Sequence, residues 1–199
     1  YRVAHHGEGL LQPANAVMQA HTLVFKPHGQ TAVALQDGDL KVSVFAVQHA
    51  PIHPAVGYRF DYKGRSLVIS GDTAYDPAMV TVAQGVDVLA HEAQAQHLVA
   101  RMKVAATELQ RPRLEKIFLD IPSYHTSPVE AATLANAAKV RLLLLYHLTP
   151  PPPNKVAEQV FMRGVKAVRP HDTVLADDGM VITIPLDGST PSVTQWDGA

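Results

Sequence analysis

The run Val140-Arg141-Leu142-Leu143-Leu144-Leu145 constrains this chain most. It is too short for a helix and lacks the polar alternation of a half-exposed strand, so it reads as a strand covered on both faces. A strand of that kind belongs inside a sheet flanked by helices. It leads straight into His147, and the ends of such strands are where α/β sheets carry their ligands.

The rest of the chain supplies that setting. Leu40, Val42, Val44 and Ala46 alternate with other residues in a strand running toward Gln48-His49, and Val56–Asp61 turns at Lys63-Gly64 into Arg65–Ser70 as a hairpin. Asp76-Pro77 opens a short helix through Val82 that Gly85 ends, and Val86–Ala90 is a buried strand leading into His91-Glu92-Ala93. Leu98, Met102, Ala105, Ala106 and Leu109 recur at helical spacing, predicting one helix over 95–117 that ends near Pro112. Ser127-Pro128-Val129-Glu130 is a capping box opening a helix to about Lys139, and Asn154 caps another to about Gly164. Val165–Val168, Val174–Ala176 and Met180–Ile184 read as closing strands. Residues 1–40 read as short strands or loops and 186–199 as a loose tail, and no linker or repeat divides 1–199. The expected class is α/β, a single domain with some antiparallel edges.

Charge narrows the function. Seventeen Lys and Arg against eighteen Asp and Glu give a formal charge of −1, so no broad cationic field gathers nucleic acid or anionic membrane. No apolar run approaches the roughly 18 residues that cross a bilayer, and no signal-peptide pattern opens the chain. The reading is a soluble chain, cytoplasmic or periplasmic, with no membrane partner and with a homodimer left open. The absence of cysteine removes thiolate chemistry, whereas eleven histidines remain. A bound transition metal must therefore use imidazole and carboxylate, which suits zinc, manganese or iron.

Taken singly, His49, Asp72 and His147 at strand ends are ordinary turn and cap residues. Their order is not. The series His49-Ala-Pro, Val56-Gly57-Tyr58-Arg59, Ser70-Gly71-Asp72-Thr73, Asp87 to Ala93, His125-Thr126-Ser127 and Tyr146-His147-Leu148-Thr149-Pro150 resembles the ribonuclease Z-like branch of the metallo-β-lactamase superfamily. The resemblance implies an αββα sandwich, of which this chain is the C-terminal portion. It also implies that His49, Asp72 and His147 are metal ligands, Asp72 bridging two zinc ions in the intact protein. His125 is then the general acid and Glu92 the carboxylate that orients it. The implied activity is hydrolysis of an ester, phosphoester or related bond by metal-bound hydroxide, on a small-molecule or phosphoester substrate.

Two departures qualify the likeness. The branch's early His-x-His-x-Asp-His cluster is absent, and the chain starts at Tyr1 instead of Met, so an upstream segment carrying the cluster is expected. Between Tyr58 and Gly71 stands a short hairpin where tRNA-processing members carry a long arm, which points away from transfer RNA. The alternative is a non-catalytic binding module of the same fold holding at most one ion. His53 reads as a pocket wall, His97 as a helix-surface residue, Arg59 as a structural donor and Pro150–Pro153 as a stiff loop.

Overall fold

The computed structural model of the protein describes residues 2–10, 12, 20–24 and 26–196. Seven strands form one mixed sheet in simple sequence order. Strands β1 (Ala32–Asp37), β2 (Leu40–Ala46), β3 (Val56–Tyr62) and β4 (Arg65–Ile69) run as an antiparallel meander. The β3–β4 hairpin closes through Lys63 and Gly64 at φ 47° and 78°, the doubly positive turn that matches strand twist. From β4 the pairing turns parallel through β5 (Val88–Gln94), β6 (Leu142–Thr149) and β7 (Thr173–Leu175). The leucine run thus lies between two strands, as its lack of alternation requires.

Helices α2 (Met79–Val82), α5 (Pro128–Ala137), α6 (Lys155–Phe161) and α7 (Val165–Val168) bury Met79, Leu134, Phe161 and Val165 in one core with Phe45, Val68, Leu89, Leu143 and Leu145 of the sheet. Truncating a fully buried leucine such as Leu143 costs about 2–5 kcal/mol. Helix α5 begins where its capping box puts it: the Ser127 hydroxyl accepts from the Glu130 N–H, and the Glu130 carboxylate accepts from the Ser127 N–H.

Four elements differ from expectation. The single helix over 95–117 is two, α3 (Gln96–Glu108) and α4 (Pro112–Asp120), because Gln110 turns left-handed at φ 52° and Pro112 starts a helix instead of ending one. Val165–Val168 is helical, following Gly164 at φ 87°. The tail is not loose throughout: β9 (Ser192–Gln195) pairs antiparallel with β8 (Met180–Thr183) as a separate ribbon. A five-residue helix, α1 (Arg2–His6), stands in the stretch read as strands or loops. Among the described residues no helix is long and apolar enough to cross a membrane.

Candidate metal centre

The C-terminal edge of the sheet gathers the singled-out side chains. His49 follows β2, on a segment stitched to the next loop by Gln48 N–H donating to Thr73 Oγ1 at 3.2 Å and Ala74 N–H donating to the Gln48 carbonyl at 2.7 Å. Its Nδ1 donates to the Tyr124 carbonyl at 3.0 Å, which fixes the tautomer and leaves Nε2 as a ligand atom. Asp72 follows Gly71, whose φ of +65° and close approach to Val56 admit no side chain: an added Cβ would stand 2.2 Å from the Val56 carbonyl oxygen. His147 interrupts β6. Glu92 pairs with Tyr146 but Ala93 with Leu148, so His147 is the extra residue of a bulge, at φ 48°. Bulges re-aim side chains, and this one leaves His147 about half exposed with Nδ1 3.6 Å from Asp72 Oδ1.

Behind these three stands a buried pair. Glu92 Oε1 accepts from Thr73 N–H at 3.3 Å, Thr126 N–H at 3.0 Å and His125 Nδ1 at 3.0 Å. Thr126 Oγ1 donates to the Thr73 carbonyl at 2.7 Å, tying the two loops together. His125 is nearly buried, with only a tenth of its side chain exposed. Burial works against its positive charge, but the hydrogen bond to Glu92 and the charges of Glu92 and Asp72 outweigh it, so its pKa lies above the usual histidine value. Its ring lies 5.6 Å from that of His49 and 5.8 Å from that of His147, between the two.

The donor set suits a transition ion. His49 Nε2, the Asp72 carboxylate and His147 are the ligand types zinc, manganese and iron accept, and the Tyr124 carbonyl behind His49 is the outer partner such ligands use. Among the described residues, the set whose donor atoms all lie within 4.8 Å of one another is a different one, Glu92, His125 and His147; His49 and Asp72 stand outside it. Glu92 Oε1 is already occupied by three N–H donors, whereas its buried Oε2 has no partner among the described residues. That arrangement fits an orienting carboxylate better than a solvent-reached ligand.

A cavity of about 750 Å³ opens beside His147, walled by Tyr146, Pro151–Pro153, Lys155 and Asp177. Burial raises the Tyr146 phenol above its ordinary pKa, with Ser70 and Gly71 bonding it in partial opposition, so it stays neutral. His53 is exposed and lines neither this cavity nor the smaller one described below. His97 is a surface residue whose Nε2 bonds the Val160 carbonyl at 3.0 Å, joining α3 to α6. Arg59 is the structural donor expected, bonded to Asp61 and to the Val82 carbonyl. Sequence reasoning missed Tyr124, whose contribution is a backbone carbonyl, and gave no role to Ser70, Thr73 and Thr126, which stand in the quoted motifs and act through backbone bonds or short hydroxyl links. For Tyr124 the adjacency to His125 is the available signal.

Comparison with known proteins bears on the family and the fold. Residues 3–148 match the family described as the β-lactamase superfamily domain. A ribonuclease Z of Mycobacterium avium is 33% identical over 150 residues, covering 75% of this chain and 46% of that protein. A putative ribonuclease Z of Mycobacterium tuberculosis is 31% identical over 151 residues, covering 75% and 58%. The chain thus spans about half the length of the curated relatives it matches. Among solved structures, a metallo-β-lactamase fold protein of Bacillus subtilis superposes with TM-score 0.54 at 18% identity, covering 95% of this chain and 63% of that one. The short form of human tRNase Z superposes with TM-score 0.51 at 23% identity, covering 81% and 48%. These likenesses establish the fold.

Proposed function

This chain belongs to the β-lactamase superfamily, and on that premise we propose that it forms the working edge of a metal-dependent phosphodiester hydrolase. One observation carries the reading: His49, Asp72, His125 and His147, from four separate segments, meet at the C-terminal edge of the sheet, the His125 ring 5.6 Å from that of His49 and 5.8 Å from that of His147, and Asp72 Oδ1 3.6 Å from His147 Nδ1. His49, Asp72 and His147 would hold the ion. Zinc, manganese or iron bound there would supply Lewis-acid polarisation of the ester and a more acidic water. The hydrogen bond to Glu92 and the charges of Glu92 and Asp72 favour the doubly protonated ring of His125; its Nδ1–H stays on Glu92 and its Nε2 proton is the one given to the departing oxygen. Glu92 acts through His125, as a positioning residue.

The names of the relatives, ribonuclease Z and tRNase Z, support a second reading in which the phosphodiester belongs to RNA. The short Lys63-Gly64 hairpin and the charge of −1 favour a small phosphodiester instead. Metal analysis of His49→Ala, Asp72→Asn, His147→Ala and Glu92→Gln tests the centre. The first three should lose the ion and Glu92→Gln should keep it. Loss in Glu92→Gln with retention in Asp72→Asn would move the centre to Glu92, His125 and His147. Turnover of bis(p-nitrophenyl) phosphate beside that of a structured RNA separates the substrates. An ion held with neither substrate cleaved would leave a binding module.

A further inference from the structure

A cavity of about 430 Å³ lies between β2, β3, α2 and the segment around Gly29, and none of its lining residues belongs to the metal centre. Its walls are rich in donors and poor in acceptors. Ser43 is only 2% exposed, yet its hydroxyl makes no hydrogen bond to a described residue while facing the cavity. The side chains of Thr31, Lys41 and Thr81 line it with no hydrogen-bond or ion-pair partner among the described residues either. Arg59 is fixed in the wall: its Nε and Nη2 donate to Asp61, and one Nη1 hydrogen goes to the Val82 carbonyl at 2.7 Å.

The charges of the described lining residues set the ligand's sign. Among them Asp61 is the one carboxylate, and its oxygens already take three contacts from Arg59 at 2.8–3.1 Å. Lys41 has no ion-pair partner among the described residues, so these residues together leave one net positive charge and three hydroxyls without a described partner. An ammonium with three donors beside several hydroxyls matches a compact oxyanion with many acceptor lone pairs, and charge-assisted bonds to such an anion are the strong ones.

We propose that this cavity is a binding site for a phosphate group, either free phosphate or the phosphate end of a small molecule. The inference is independent of the hydrolase reading, since it uses none of that site's residues. A phosphate held there would join three segments: the loop around Gly29, one face of the β2–β3 pair, and α2 through Thr81.

A titration of the chain with inorganic phosphate, followed by amide NMR, tests it. Saturable shifts are expected at Gly29, Thr31, Ser43 and Thr81. Lys41→Ala should weaken the affinity at least about tenfold, and Lys63→Ala, an exposed lysine elsewhere, should leave it unchanged. Lys41 and Thr81 are exposed, so Lys41→Ala and Thr81→Val keep the fold and the test stays decisive even if Ser43→Ala does not express. A parallel titration with adenosine 5′-monophosphate separates the two sources: equal affinity points to phosphate alone, tighter binding to a phosphate-bearing molecule. Shifts confined to the neighbourhood of His147, shifts that never saturate, or a Lys41→Ala variant that binds as the parent does would overturn the proposal.

Discussion

At the N-terminal edge of β5, Asp87 receives Arg65 Nη2 and Arg141 Nη1, each at 2.9 Å, and the Ser66 N–H at 2.8 Å. At the C-terminal edge of the same strand, Glu92 gathers three donors on Oε1 and leaves Oε2 without a described partner. Both carboxylates are almost wholly buried. The first is closed: its two arginines reach on to the carbonyls of Ser189 and Gly188, tying the far end of the chain to the sheet. The second hands its interaction outward through His125 to a half-exposed rim of His147 and Asp72. One edge spends its charge on holding segments together, and the other leads from a buried carboxylate through His125 to side chains that face solvent.

The sharpest way to break that contrast is to remove His125. In the metal-loaded protein His125→Ala should lower kcat about 10²–10⁴-fold on a phosphodiester with an alkyl leaving group, with metal content unchanged. On a nitrophenyl ester, whose leaving group needs no proton, the loss should be small. Equal impairment on both substrates would mean that His125 is not the acid. Asp87→Ala should do the reverse. It strands two arginines at the closed edge and should cost about 3 kcal/mol in urea unfolding, while the folded fraction keeps its metal affinity. Lost metal binding in that variant would show that the two edges are not separate.

A smaller effect sharpens the same comparison through His91, fully buried between the edges with its Nδ1 bonded to the Glu92 carbonyl at 2.7 Å. Burial holds its pKa below the ordinary 6.5, against weaker opposing help from that bond and from the charges of Glu92 and Glu130. Below pH 6.5 the unfolded chain therefore takes up a proton that the folded chain refuses, and stability falls with pH until the lowered folded pKa is reached. The wild type should lose up to about 1.4 kcal/mol per pH unit more than His91→Asn in that window. Parallel stability–pH curves for the two would remove His91 from the account.

What the sequence disclosed follows from how locally each feature is encoded. Lys63-Gly64, the Ser127 capping box and the unalternated leucine run each state their structure within a few residues, and each forms as read. Pro112 is ambiguous by nature, since a residue that ends one helix is equally suited to open the next. The valines of α7 suggest a strand by propensity, but Gly164 and packing of Val165 in the core decide otherwise. The strand-end residues of the site were legible because the sheet places them at one edge. The bulge at His147 was not, because it depends on a register shift against β5. Neither was the Tyr124 carbonyl behind His49, because a backbone acceptor has no signature in sequence.

The switch from antiparallel to parallel pairing at β4 also orders events in time. His49 sits beside a meander of short-range pairings, which a chain can form early. Asp72, Glu92 and His147 lie on or beside β4, β5 and β6, and the parallel ladders that align them close only after the helices between those strands have been laid down. Loops of that length are slow to close. By that measure the side chains of the candidate centre should come together later than the meander, and a chain with only the meander formed would present His49 without Asp72 and His147. An ion held at this edge would therefore report that β2, β4, β5 and β6 stand in register together.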